Sequence, residues 1–156
     1  MAEYAYQSFE AWNTAVKLAV AVGRLKVGSN LKAAADAQTR AFEQAGLACA
    51  LLAEGTGRDG GGQVGLYRDA RGALAQCRSW LHVLAAVMNE PDTVFANELD
   101  MAEQCARQVS GTLRALERPA PAMAGPAPGG RAPIRNSPAA GGPRNAGPRG
   151  GTGSPR

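Results

Sequence analysis

The sequence predicts an all-α protein: an up-down antiparallel four-helix bundle followed by a disordered C-terminal tail. Three observations lead there. Apolar residues recur at spacings of three and four through four separate segments, and strand-like alternation is missing throughout. Short breaks rich in Gly, Asn, Asp or Pro separate the segments, which suits antiparallel neighbours with short connections. Beyond residue 118 the periodicity stops and the composition turns to Pro, Gly, Ala, Arg and Ser.

The first helix is expected over about residues 8–27, with Ser8 as its N-cap and Phe9, Trp12, Val16, Ala19 and Gly23 as the stripe it buries. VGSN at 27–30 stops it: Gly28 suits a C-terminal cap, and Ser29 or Asn30 can cap the next helix. That second helix covers about residues 31–54. It carries Phe42, Ala45, Cys49 and Leu52 on one face, and its many alanines permit close helix packing.

The third helix is expected over about residues 63–88. Leu66, Ala70, Ala73, Cys77, Trp80, Leu84 and Val87 form one stripe, and Leu74, Leu81 and Met88 form a second beside it. Two stripes exceed what one bundle interior needs, so the second is assigned to an interface between copies of the chain. NEPD at 89–92 ends this helix, because proline disfavours helical geometry in the residue before it. Asp92 or Thr93 then caps the fourth helix, where Phe95, Leu99, Ala102, Ala106, Val109, Leu113 and Leu116 alternate by four and three.

Residues 1–118 therefore form the bundle and residues 119–156 a tail with too little apolar surface to offset chain entropy. The tail holds five of the 17 Lys and Arg, namely Arg131, Arg135, Arg144, Arg149 and Arg156, and none of the 13 Asp and Glu. The bundle is thus close to neutral, and the net charge of +4 resides in the tail. Arginines spaced by proline and glycine stay accessible, as in RNA-binding arginine-glycine segments.

Several function classes drop out. The glycine run GTGRDGGG at 55–62 invites comparison with a phosphate-binding loop, but it follows a helix rather than a strand and lacks the lysine such a loop requires. It reads as a helix connector. Cys49, Cys77 and Cys105 lie in periodic apolar segments and suit reduced core residues. One His and no CxxC argue against a metal, and no cofactor is expected. His82 has no Ser or Cys placed for nucleophilic chemistry, so no catalytic residue is assigned and the chain is read as non-enzymatic. Without a leader or an apolar run of about 20 residues, the location is expected to be cytoplasmic, away from membrane.

Three segments carry a family resemblance: FEAWNTAVKLAV at 9–20, LAEGTGR at 52–58 and YRDARGALAQC at 67–77. Together they resemble the bacterial four-helix-bundle family of ribosomal-RNA intervening-sequence-encoded proteins, which includes the accessory variability proteins of diversity-generating retroelements. Helix 3, in LYRDARGALAQCRSWLHVLA, is most similar to the retroelement branch. The resemblance implies a toroidal homopentamer that binds RNA or DNA and, in that branch, the element's reverse transcriptase.

Candidate nucleic-acid contacts are Arg58, Arg68, Arg71 and Arg78, which project from one side of helix 3 and its approach, together with the five tail arginines. The competing reading is a solvated helix face partly neutralised by Asp69, in an intervening-sequence-type structural or protein-interaction ring without nucleic-acid binding. Glu54 and Arg58, four apart, either pair within their helix or bridge to helix 3 or a neighbouring subunit. Trp12 and Trp80 sit at core spacing and are assigned to the core rather than to base stacking.

Overall fold

Residues 4–28 and 31–118, those described by a computed structural model, form four α-helices and no strand: α1 Glu10–Gly23, α2 Lys32–Thr56, α3 Gly60–Met88 and α4 Ala96–Glu117. Single 3-10 turns, Ala5–Ser8 and Asp92–Phe95, lead into α1 and α4. Each helix packs on its neighbours in sequence, and α1 also packs on α4, so the four close into a ring with no backbone contact across either diagonal. Gln108 Nε2 on α4 donates to Glu10 Oε1 on α1 at 2.9 Å where the ring closes. The fold is the all-α up-down bundle. The chain divides into units Met1–Ala120 and Pro121–Arg156, and only the first holds described residues.

The α2–α3 seam is the most extensive. Its inward line on α2 is almost all small: Ala34, Ala37, Ala41, Ala45, Ala48, then Leu52 and Gly55. Small side chains let the two backbones approach, which brings more of α3 within reach. Ala45 and Leu52 were expected there; Phe42 instead lies outward, 47% exposed, and Cys49 is half-buried.

The inward stripe of α1 is Ala11, Ala15, Leu18 and Val22, one step around the helix from the expected one. Phe9, Trp12, Val16 and Ala19 flank it half-buried, and Gly23 is exposed. Both lines have helical spacing, and Leu18 and Val22 reach the centre while the bulkier Trp12 covers the rim. Phe95, in the turn before α4, and Ala102, Val109 and Leu113 on α4 are buried as expected, and Cys105 joins them. Leu99 and Ala106 are half-buried, and Leu116 is 42% exposed.

Leu74 and Leu81 require a correction. Both are 0% exposed inside the single bundle, and Met88 is half-buried against the same core. The second stripe of α3 is therefore not a free interface. Because α3 packs against α2 and α4 at once, its apolar arc has to be wider than one stripe, and Leu74 and Leu81 fill the same interior as Cys77 and Leu84.

Helix ends differ from expectation in four places. Ser8 does not cap α1: its hydroxyl donates to the Ala5 carbonyl at 2.9 Å, closing the preceding turn, and Phe9 occupies the N-cap. α1 stops at Gly23 rather than near residue 27, since Gln38 Nε2 on α2 donates to the carbonyls of Val22 (2.9 Å) and Leu25 (2.8 Å), satisfying acceptors that a helix end leaves open. The candidate caps Ser29 and Asn30 lie outside the described residues. The glycine run is mostly helix: only residues 57–59 connect α2 to α3, and Gly60, at φ 57°, begins α3 in a left-handed conformation that favours glycine. At its other end α3 terminates through Asn89, also left-handed (φ 56°, ψ 37°), with Asn89 N donating to Ala86 O and Glu90 N to Ala85 O. This is a Schellman closure just ahead of Pro91. Asp92 and Thr93 begin the 3-10 turn, and neither caps α4 through its side chain.

Candidate nucleic-acid interface

Antiparallel packing lays the first third of α3 beside the last turns of α4. Across that seam Arg68 Nη2 lies 2.6 Å from Glu117 Oε1. Arg71, one turn further along α3, and Arg114 on α4 complete a groove of about 320 Å³ that Ser110, Leu113 and Glu117 also line. Among the described residues neither Arg71 nor Arg114 has a carboxylate within ion-pair distance. Three guanidinium groups and one hydroxyl thus surround a concavity that holds one carboxylate. Such forks match the oxygens of a phosphate, which they can engage two at a time.

The structure brings two of the four expected bundle arginines together, Arg68 and Arg71. Arg78 lies about 15 Å further along α3, by helical rise, where its Nη1 meets Glu103 Oε2 at 2.5 Å and Glu103 Oε1 lies 4.0 Å from Arg107. Its Nε is buried without a partner. Arg58, in the connector, pairs back to Glu54 at 2.7 Å on the last turn of α2, the local alternative to a bridge to helix 3. Glutamates rather than Asp69 therefore neutralise this face, and two of them stand across the seam on α4. Arg131, Arg135, Arg144, Arg149 and Arg156 lie outside the described residues. Arg114 and Ser110 escaped sequence reading because no local spacing links them to Arg68; only the α3–α4 register does.

The three motifs behind the family resemblance meet at one side chain, Tyr67. A Cβ on Gly55 would come within 2.8 Å of Tyr67 Cδ1 and closer still to Cε1, so the Gly in LAEGTGR leaves room for the Tyr in YRDARGA. The Phe9 and Tyr67 rings lie 5.5 Å apart, tilted by 32°. Tyr67 is buried, and its hydroxyl accepts a hydrogen bond from Gln63 Nε2 at 3.4 Å. Burial pushes this phenol's pKa up, partly opposed by that bond. Trp12 packs against Tyr6 with ring centroids 4.9 Å apart, and Trp80 is half-buried on the core. The motifs thus encode packing at the base of the bundle.

The remaining chemistry-bearing groups are quiet. Burial pushes the Cys49 thiol up to about 11 and those of Cys77 and Cys105 to about 12, and Cys105 Sγ donates to the Ala11 carbonyl at 3.3 Å. All three remain protonated near neutrality, and the thiolate is the reactive form. His82 Nδ1 stands 3.1 Å from Asp92 Oδ2 on the surface. Among the described residues no cluster of His, Cys, Asp or Glu is placed to hold a metal ion, and no helix is long and apolar enough to cross a membrane.

No family model, no curated protein and no solved structure matches the chain.

Proposed function

We propose that this chain is a non-enzymatic, self-associating bundle that binds nucleic acid through phosphates in the α3–α4 groove, as an accessory subunit of a larger cytoplasmic machine such as a retroelement reverse transcriptase. The observation that carries the reading is the convergence of Arg68, Arg71 and Arg114 with Ser110 around one concavity, two of the three cations having no carboxylate partner among the described residues. Phosphate contacts supply sequence-independent affinity, and the tail arginines extend that charge beyond the groove. Copies arranged as a pentameric ring, as the motif resemblance implies, would repeat the groove and multiply its field. With Leu74 and Leu81 inside the core, the apolar surface for self-association is elsewhere: Val20, Phe42 and Leu47 are large and exposed on α1 and α2.

A second reading, a structural or protein-interaction ring without nucleic-acid binding, draws on the neutralisation of Arg58, Arg68 and Arg78 by glutamates. Binding of single-stranded RNA and duplex DNA at low salt, followed by fluorescence anisotropy, separates the two. The intact chain is expected to bind, with log affinity falling linearly in log salt. Replacing Arg71 and Arg114 together with Ala should weaken binding and flatten the slope by about 1.4 on single strands, about 0.7 per lost contact. Deleting residues 119–156 should weaken it independently. An intact chain that binds neither polymer leaves the second reading, and a monomer mass by light scattering removes the ring from both.

A further inference from the structure

Glu117 sits where an α-helix least favours an anion. The open carbonyls of the last turn of α4 form the negative end of the helix dipole, so a carboxylate there raises the energy of its own helix end unless a cation offsets it. Arg68 is that cation, at 2.6 Å across the seam, and both side chains are open to water, 60% and 42% exposed. A pair so exposed exchanges readily. Arg118 then leaves the helix in an extended conformation (φ −66°, ψ 125°).

We infer that Glu117 is a built-in competitor for phosphate: its carboxylate occupies Arg68 in the free protein, and a nucleic-acid phosphate entering the groove displaces it and loosens the last turn of α4. The inference rests on the phosphate reading of the groove. A carboxylate offers Arg68 the same two-oxygen fork that a phosphate offers, so the guanidinium serves one or the other. Among the described residues Arg71 and Arg114 pair with no carboxylate, and a phosphate gains them without exchange. It gains Arg68 only by expelling Glu117, which its own negative charge also repels. Once released, Glu117 faces the terminal carbonyls without its partner across the seam, while Arg114, the basic residue of that turn, is engaged by the phosphate, and the turn loosens. Nucleic-acid affinity is thereby set below what three free arginines would give.

The test compares the full chain, E117Q and E43Q for binding of a single-stranded oligoribonucleotide by anisotropy. E43Q removes one equal charge from α2, where Glu43 lies 3.7 Å from Arg40. E117Q should bind about fivefold more tightly, equivalent to ~1 kcal/mol. Its salt slope should equal that of the wild type, because Arg68 contacts phosphate in both complexes and only the cost of displacing Glu117 is removed. E43Q, screened from the groove, should change affinity by less than about twofold. In the wild-type chain, amide hydrogen exchange over residues 114–118 should accelerate on binding. Equal affinity of wild type and E117Q, or equal gains in both variants, would overturn the competitor and leave the groove standing. Failure of all three proteins to bind removes the groove and the competitor together.

Discussion

Tyr67 shows how residues of three separate segments serve a single fit. Its ring lies over Gly55, beside Phe9, with only 2% of its surface exposed. Replacing Gly55 with Ala puts a methyl into that ring, which is buried and packed against Phe9, so the cost should be about 1–3 kcal/mol, as for other overpacked cores. Gly72 is the control: it also lies within a helix, and a Cβ there meets nothing within 4 Å. Gly72→Ala should stabilise by about 0.5–1 kcal/mol through backbone entropy alone. Urea unfolding midpoints moving in opposite directions would establish the steric account; two equal midpoints would show that the Tyr67 ring moves aside freely. The arginines make the same point for charge. Arg68 and Arg71 are three apart on one helix, yet among the described residues only Arg68 has a carboxylate partner, because it alone meets Glu117.

Among the helices, α1 and α2 are coupled by one polar side chain. Gln38 is half-buried, and its amide nitrogen donates to both Val22 O and Leu25 O, which explains where α1 stops better than any residue inside α1 does. Gln38→Ala leaves Leu25 O without its donor and Val22 O with only the Leu25 N–H at 3.3 Å, and the expected loss is about 1–3 kcal/mol. Hydrogen exchange should accelerate first in the last turn of α1 and the segment after it, with the α2–α3 seam unaffected. Uniform loss of protection throughout the bundle would instead assign Gln38 a global role. The breaks at residues 57–59 and 89–91 need no such distant help. Gly60 and Asn89 adopt left-handed backbone geometry locally, and glycine and asparagine are the residues that tolerate it best.

At the scale of the whole bundle the three thiols act together, one each from α2, α3 and α4. Burial raises their pKa values from 9.0 to about 11 for Cys49 and about 12 for Cys77 and Cys105. The folded state therefore keeps protons that the unfolded chain releases above pH 9. The stabilisation from neutral thiols is complete below about pH 9 and is lost as the pH rises from there towards 11–12. Urea midpoints between pH 8 and 11 should fall more steeply for the native sequence than for a variant with Ala at all three positions, a comparison that cancels the titration of other groups. Parallel curves would show that water reaches the thiols.

Four helices and their order were determined by the sequence alone, as was the end of α3 at Asn89, because helical spacing, asparagine and proline act within a few residues of where they stand. The core positions Ala102, Val109 and Leu113 of α4, the free cysteines and the packing role of both tryptophans followed the same local logic, whereas Leu116 lies exposed. Tertiary structure alone decided which of two adjacent lines on α1 faces inward, and that Leu74 and Leu81 belong to the interior rather than to an outer face. It alone paired Arg68 with Glu117 and Arg78 with Glu103, residues 49 and 25 positions apart, and added Arg114 and Ser110 to the groove. The physical reason is that burial and ion pairing depend on the register of antiparallel neighbours. That register is set by complementary packing, such as the alanine line of α2 against α3 and the Gly55–Tyr67 fit, which no single segment contains.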